Sequence, residues 1–131
     1  MPEQDLLFFE TSGFSMWPFI RPKEKLLIKK IPVDDLRPGD IILYRANNQL
    51  ACHRLVKKNR DFLWTRGDNS ISSPEMITKE MFIGKVVGII KNNKMISLTG
   101  WRSRLINSFM VIIAPLIIRF LKPIYMKLHK R

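Results

Sequence analysis

The chain has 131 residues, 46% of them hydrophobic and 26% charged, with a net charge of +12. That length holds one domain with an appendage and a single sizeable core, and the composition excludes a disordered body. All 11 acidic residues lie at or before Glu80, whereas residues 101–131 carry seven Lys/Arg and no acid. Residues 1–100 thus hold 16 basic against 11 acidic side chains, so the excess charge is concentrated in a very apolar tail. A basic apolar segment suits an anionic membrane surface better than nucleic acid, which calls for basic residues among polar ones. No nucleic-acid partner is expected. The single cysteine, Cys52, excludes an intrachain disulfide and offers no metal-site spacing. No metal or other cofactor is expected.

Residues 5–10 read as a short strand, and residues 11–18 as a turn bracketed by Gly13 and Pro18 that carries Ser15. Residues 25–30 read as a strand, and 31–38 as a connection holding Pro32 and Pro38. Pro38-Gly39-Asp40 is a turn signal before a buried strand at 41–45. Asn47-Asn48 turns the chain into a strand at 50–58 that carries His53. A strand at 62–66 follows, closed by Gly67-Asp68-Asn69-Ser70, and residues 70–80 read as a polar loop with Pro74. Residues 81–91 form a long strand whose glycines mark a bend or bulge. Asn92-Asn93 leads to a last strand at 94–98. Many short strands between Gly, Asn and Pro turns predict a mainly β domain over residues 1–100, with a partly closed sheet.

After Gly100 the character changes. Residues 105–121 are apolar except for Asn107, Ser108 and Arg119, and Pro115 is the main turn signal among them. We read residues 101–131 as a helical tail, kinked at Pro115. Its 17 apolar-rich residues meet only the lower limit of a membrane span, roughly 17. The tail therefore reads as a membrane anchor, spanning or interfacial, or as a helix packed on protein. The Lys/Arg-rich C-terminal flank favours a cytoplasmic C-terminus for a spanning segment.

Three groups of residues carry chemistry. Ser15 sits in the bracketed turn, where a hydroxyl is fixed and its N–H can face a developing oxyanion. A turn serine is also common for its own reasons. His53 lies mid-strand, with Ala51 and Leu55 on its face and Cys52 and Arg54 on the other. It reads as a general base or as a hydrogen-bonded core histidine. Asp68 reads as a plain turn residue, as the orienter of an imidazole, or as a buttress for the serine turn. Glu75 is the other acid within reach. A Cys52/His53 nucleophile pair is a disfavoured rival, since adjacent strand residues point to opposite faces.

In order and rough spacing, five stretches resemble the signal peptidase I family of serine endopeptidases. Gly13-x-Ser15-Met16-x-Pro18 is similar to that family's nucleophile box, with Phe19 where a threonine is usual. Arg37-Pro38-Gly39-Asp40-Ile41-Ile42, His53-Arg54, Gly67-Asp68-Asn69 and Gly84-Lys85-Val86-Val87-Gly88 resemble its later boxes. His53-Arg54 falls where the bacterial branch has lysine and the endoplasmic-reticulum-type branch has His-Arg. The resemblance implies a signal-peptidase or self-cleaving-repressor-like β-fold, Ser15 as nucleophile and His53 as base. It leaves the third member open between Asp68, Glu75 and neither. Lys57 stands four residues from His53, about 13 Å along a strand, so a Ser/His site is favoured over a Ser/Lys dyad. With only fourteen residues before Ser15, the expected anchor is the tail.

The activity implied is removal of signal or leader peptides at a membrane, acting on an extended peptide or protein substrate. Two alternatives stand beside it. One is a cytosolic leader-trimming or self-cleaving-type peptidase for a dedicated peptide. The other is a non-enzymatic β-module held at a membrane surface.

Overall fold

The computed structural model describes residues 6–11, 16–17, 19–70, 72–100, 105–113, 115–116 and 119. Its strands are β1 (Leu6–Glu10), β2 (Lys25–Lys29), β3 (Ile41–Ala46), β4 (Gln49–Lys58), β5 (Phe62–Arg66), β6 (Glu75–Thr78), β7 (Phe82–Lys91) and β8 (Lys94–Ser97). Residues 105–113 are helical and are called α1. All strand pairs are antiparallel, in the order β1-β2-β7-β3-β4-β5-β6, with β8 paired to β7. The fold is thus mainly β, as expected, and followed by a short helix.

Strand β3 lies inside this sheet and is buried on both faces, which is why it reads as an unbroken apolar run. Ile41 and Leu43 point into a cluster with Leu26, Ile28, Cys52 and Val86. Ile42 and Tyr44 point the other way, into a cluster with Leu36, Leu55, Leu63 and Ile77. Two-residue turns set the register of the hairpins on either side. Asn47 and Asn48 (φ 54° and 62°) join β3 to β4, and Asn92 and Asn93 (φ 51° and 64°) join β7 to β8. Asparagine tolerates this left-handed backbone, and two such residues match the twist of paired strands.

The glycines of β7 fall at two irregularities, as the sequence suggested. Pairing with β2 skips a residue between Gly88 and Val86, and pairing with β3 skips one between Gly84 and Phe82. Residues 70–80 differ from the reading as a loop, because β6 pairs with β5 there. Only Ile77 of that strand is buried, and its apolar neighbour Met76 is exposed, so no alternating pattern stood out beside Pro74 and three serines.

Gly39 decides how α1 meets the sheet. Its φ is +101°, and a Cβ there would lie 2.8 Å from the Asn107 carbonyl and 2.9 Å from the Ser108 nitrogen. Only glycine combines that backbone with so close an approach. α1 therefore rests directly on the turn before β3, with Asn107 buried. Its other side presents Leu105, Ile106, Phe109 and Ile112, each more than half exposed.

Candidate functional site

His53 is half-buried on β4, opposite Ile42. Its face is the one expected, shared with Ala51 and Leu55. Two positions along β3, the Tyr44 hydroxyl lies 2.7 Å from His53 Nδ1. Thr65 Oγ1 on β5 lies 3.2 Å from the same hydroxyl. The two rings meet edge-on, with centroids 5.8 Å apart. Burial is the main influence on His53 and lowers its proton affinity, while the charges of Glu75 and Asp68 act in the opposite sense. A cleft of about 250 Å³ opens at His53, lined also by Gly67, Asn69, Ser72, Ser73 and Glu75. No hydrogen bond joins Glu75 to His53 among the described residues.

On the opposite face of β4, Arg54 is 1% exposed and forms a hub. Its Nε and Nη2 donate to the two carboxylate oxygens of Asp68, at 2.8 and 2.7 Å. Its Nη1 donates to the Gly39 carbonyl and to Asn107 Oδ1, both at 2.9 Å. The guanidinium lies 4.7 Å from the centre of the Phe19 ring, an arrangement that favours a cation. Both oxygens of Asp68 are thus engaged by Arg54 and neither bonds His53. The Asp68 backbone N–H meets the Met16 sulfur at 3.4 Å. Of the roles open to Asp68, these contacts are those of a buttress.

Ser15, Ser12 and the glycine of the nucleophile box lie outside the described residues. Both ends of that turn are anchored. On one side Thr11 N–H donates to the Glu24 carbonyl at 3.1 Å and its hydroxyl to the Arg21 carbonyl at 2.9 Å. On the other, Met16 is buried in the core and its carbonyl accepts the Ile20 N–H. Cys52 points into the core away from His53, and burial pushes its thiol up to about 12. It is protonated at neutral pH and a poor nucleophile. Lys57 Nζ lies over the Trp64 ring at 4.8 Å, and Lys58 Nζ donates to the Asp34 carbonyl. Both are occupied away from His53. Among the described residues no three His, Cys, Asp or Glu side chains converge as metal ligands.

Sequence reasoning missed Tyr44, Thr65 and Asn107. For Tyr44 a signal was present: a phenol on a strand buried on both faces needs a partner for its hydroxyl. The two-residue turn at Asn47-Asn48 also places Tyr44 diagonal to His53, within reach of an aromatic side chain.

A family model described as Peptidase S24-like matches residues 1–87, and no curated protein matches the chain. The matched span takes in the nucleophile box, His53 and Asp68, the same stretches in which the serine-peptidase resemblance was read. With most of the β-domain covered by that match, the chain belongs to the Peptidase S24-like family.

Proposed function

We propose that the protein is an endopeptidase that removes signal or leader segments, with Ser15 as nucleophile and His53 as general base. One observation carries this reading. Asp68 bonds Arg54, the residue after His53, and also Met16, the residue after Ser15. Consecutive Cα atoms are about 3.8 Å apart, so contacts from Asp68 to the residues that follow Ser15 and His53 in sequence support a reading in which the two stretches act together. The small, polar lining of the cleft beside His53 suits an extended peptide with small residues before the cut.

In this reading His53 takes the Ser15 proton as Oγ bonds the peptide carbonyl carbon. The oxyanion is held by the Ser15 N–H and a second donor. The imidazolium then protonates the leaving amine as the C–N bond breaks, and water hydrolyses the acyl-enzyme. The base must be neutral to act. Burial lowers its proton affinity, so His53 stays competent below the usual histidine value of 6.5 and is lost only as pH falls through its lowered one. The acid limb of kcat/KM for a cleaved peptide is therefore expected below pH 6.5. A rate that rises only at alkaline pH, as for a lysine base, would count against His53.

A membrane site of action is the second part of the proposal. No helix among the described residues is long and apolar enough to cross a membrane. The support is interfacial: Phe109 and Ile112 are 63% and 68% exposed on α1, within a tail that carries seven Lys/Arg and no acid. Such a helix lies at the headgroup boundary and favours anionic lipid. The protein is expected to sediment with phosphatidylglycerol vesicles at low salt and to release at high salt. Equal absence from anionic and zwitterionic vesicles would remove this part.

A further inference from the structure

The cleft beside His53 carries a charge that the cleavage chemistry does not use. Glu75 opens β6, and the register of three strands sets its face. Leu55 lies opposite Thr65, and Thr65 lies opposite Glu75. Directly opposed residues of paired strands share a face, and His53 stands two positions before Leu55 on that same face. Glu75 and His53 accordingly line one cleft of about 250 Å³. We propose that this cleft is a subsite for a basic side chain of the peptide, with Glu75 as the residue that selects lysine or arginine near the bond to be cut. This rests on the Ser/His peptidase reading and deepens it.

Among the described residues no cation answers this carboxylate. Glu75 is exposed and belongs to none of their ion pairs. The cations of β4 and β5 are committed elsewhere. Arg54 holds Asp68, the other acid near His53. Lys57 lies over the Trp64 ring, and Lys58 donates to the Asp34 carbonyl. Arg66 lies opposite Arg54, on the far face of the sheet, and donates to the Val111 carbonyl of α1 at 2.7 Å. The carboxylate also reaches the site. Burial lowers the proton affinity of His53, and Glu75 is the larger of the two charges that oppose it. The cleft is thus locally acidic in a protein whose net charge is +12.

The lining calls for donors. Asn69 stands in the same cleft, and its Oδ1 is shielded from water with no hydrogen-bond partner among the described residues. A buried acceptor left unpaired is costly, so a donor is expected there. Ser72 and Ser73 add hydroxyls that can accept. A carboxylate, an amide oxygen and hydroxyls together match a positive group with several donors. Lysine and arginine are such groups, and neither can accept. Small-molecule sites hold roughly 300–1,000 Å³, so the smaller cleft here suits one side chain. β4 and β6 are two strand spacings apart, about 10 Å, which an extended peptide covers in about three residues. The basic residue is therefore expected within about three positions of the bond, distinct from the small residue before the cut.

The test uses synthetic peptides with a fixed small residue before the cut. Lysine, arginine, norleucine or glutamate is placed in turn at each other position within about three residues of the bond. At one position wild type is expected to favour lysine or arginine over norleucine about tenfold in kcat/KM, the scale of a single charge-assisted hydrogen bond. Glu75→Gln is expected to abolish that ratio, and Glu75→Lys to favour glutamate at the same position. Any change that Glu75 makes to His53 cancels in a ratio between peptides. A ratio near one at every position in wild type, or a ratio unmoved in Glu75→Gln, would overturn the proposal. An equal loss for all peptides in Glu75→Gln, the mark of a carboxylate acting only through His53, would do the same. Calorimetric binding of these peptides to the Ser15→Ala protein repeats the comparison without cleavage. The basic peptide should bind about tenfold tighter than the norleucine peptide, and equal affinities would count against the subsite. The two readings fail separately. Cleavage that survives Ser15→Ala sinks the peptidase reading, whereas Ser15-dependent cleavage indifferent to the basic residue sinks only the role of Glu75.

Discussion

Arg54→Ala is expected to destabilise the domain by about 3–5 kcal/mol, the cost of removing one partner from a buried ion pair. Three groups lose their donor at once: the Asp68 carboxylate, the Gly39 carbonyl and Asn107 Oδ1. None can recover it from water, because Asp68 and Asn107 are 2% and 4% exposed and Arg54 itself is 1% exposed. Against a usual total of about 5–15 kcal/mol, the variant is marginal or unfolded. Urea titration followed by circular dichroism measures the change. Arg54→Lys should recover only part, since an ammonium cannot reproduce the fork that holds both Asp68 oxygens. A loss below about 1 kcal/mol, within the range of a surface ion pair, would show that the hub does not hold the fold. Asn107→Ala is milder, because the other Arg54 contacts remain.

His53→Ala and Ser15→Ala are each expected to lower peptide cleavage by about 10⁴-fold or more, as removal of either member of a nucleophile–base pair does. The two losses should not add, because each group works only through the other. Neither residue belongs to the Arg54 hub, so both variants should unfold at close to the wild-type denaturant concentration. This separates chemistry from folding: Arg54→Ala loses activity together with structure, and His53→Ala loses activity alone. His53→Lys asks whether the lysine of the bacterial branch works on this scaffold. The Tyr44 hydroxyl stands at the ring nitrogen, so a longer flexible amine is expected to be poorly oriented and to restore little activity.

The strands were legible wherever a face was buried. β3 read as a buried strand because both its faces are apolar, and the asparagine pairs read as turns because few other residues accept that backbone. The face of His53 followed from strand alternation, with Ala51 and Leu55 beside it and Cys52 and Arg54 opposite. β6 was illegible because an edge strand with one buried residue carries no pattern. Asp68 stood out in the sequence through its Gly-Asp-Asn turn, but its partner Arg54 did not. An aspartate near a histidine in sequence suggests an orienter, and the chain gives no sign that the adjacent arginine takes both oxygens. The Arg54–Asn107 bond spans 53 residues and depends on the missing side chain at Gly39, a contact that no local pattern encodes. The tail was legible as basic and apolar. Its docking through one buried asparagine was not, because a single polar residue in an apolar helix reads equally well as a flaw in a membrane anchor.

The central claim is that Ser15 attacks a peptide bond. The most direct test is mass-spectrometric mapping of cleavage in a library of leader-like peptides by wild type, with Ser15→Ala of matched stability alongside. The account predicts cuts after small residues in wild type and none with Ser15→Ala. The same cuts at the same rate in Ser15→Ala, or no cut in any peptide by wild type, would contradict it.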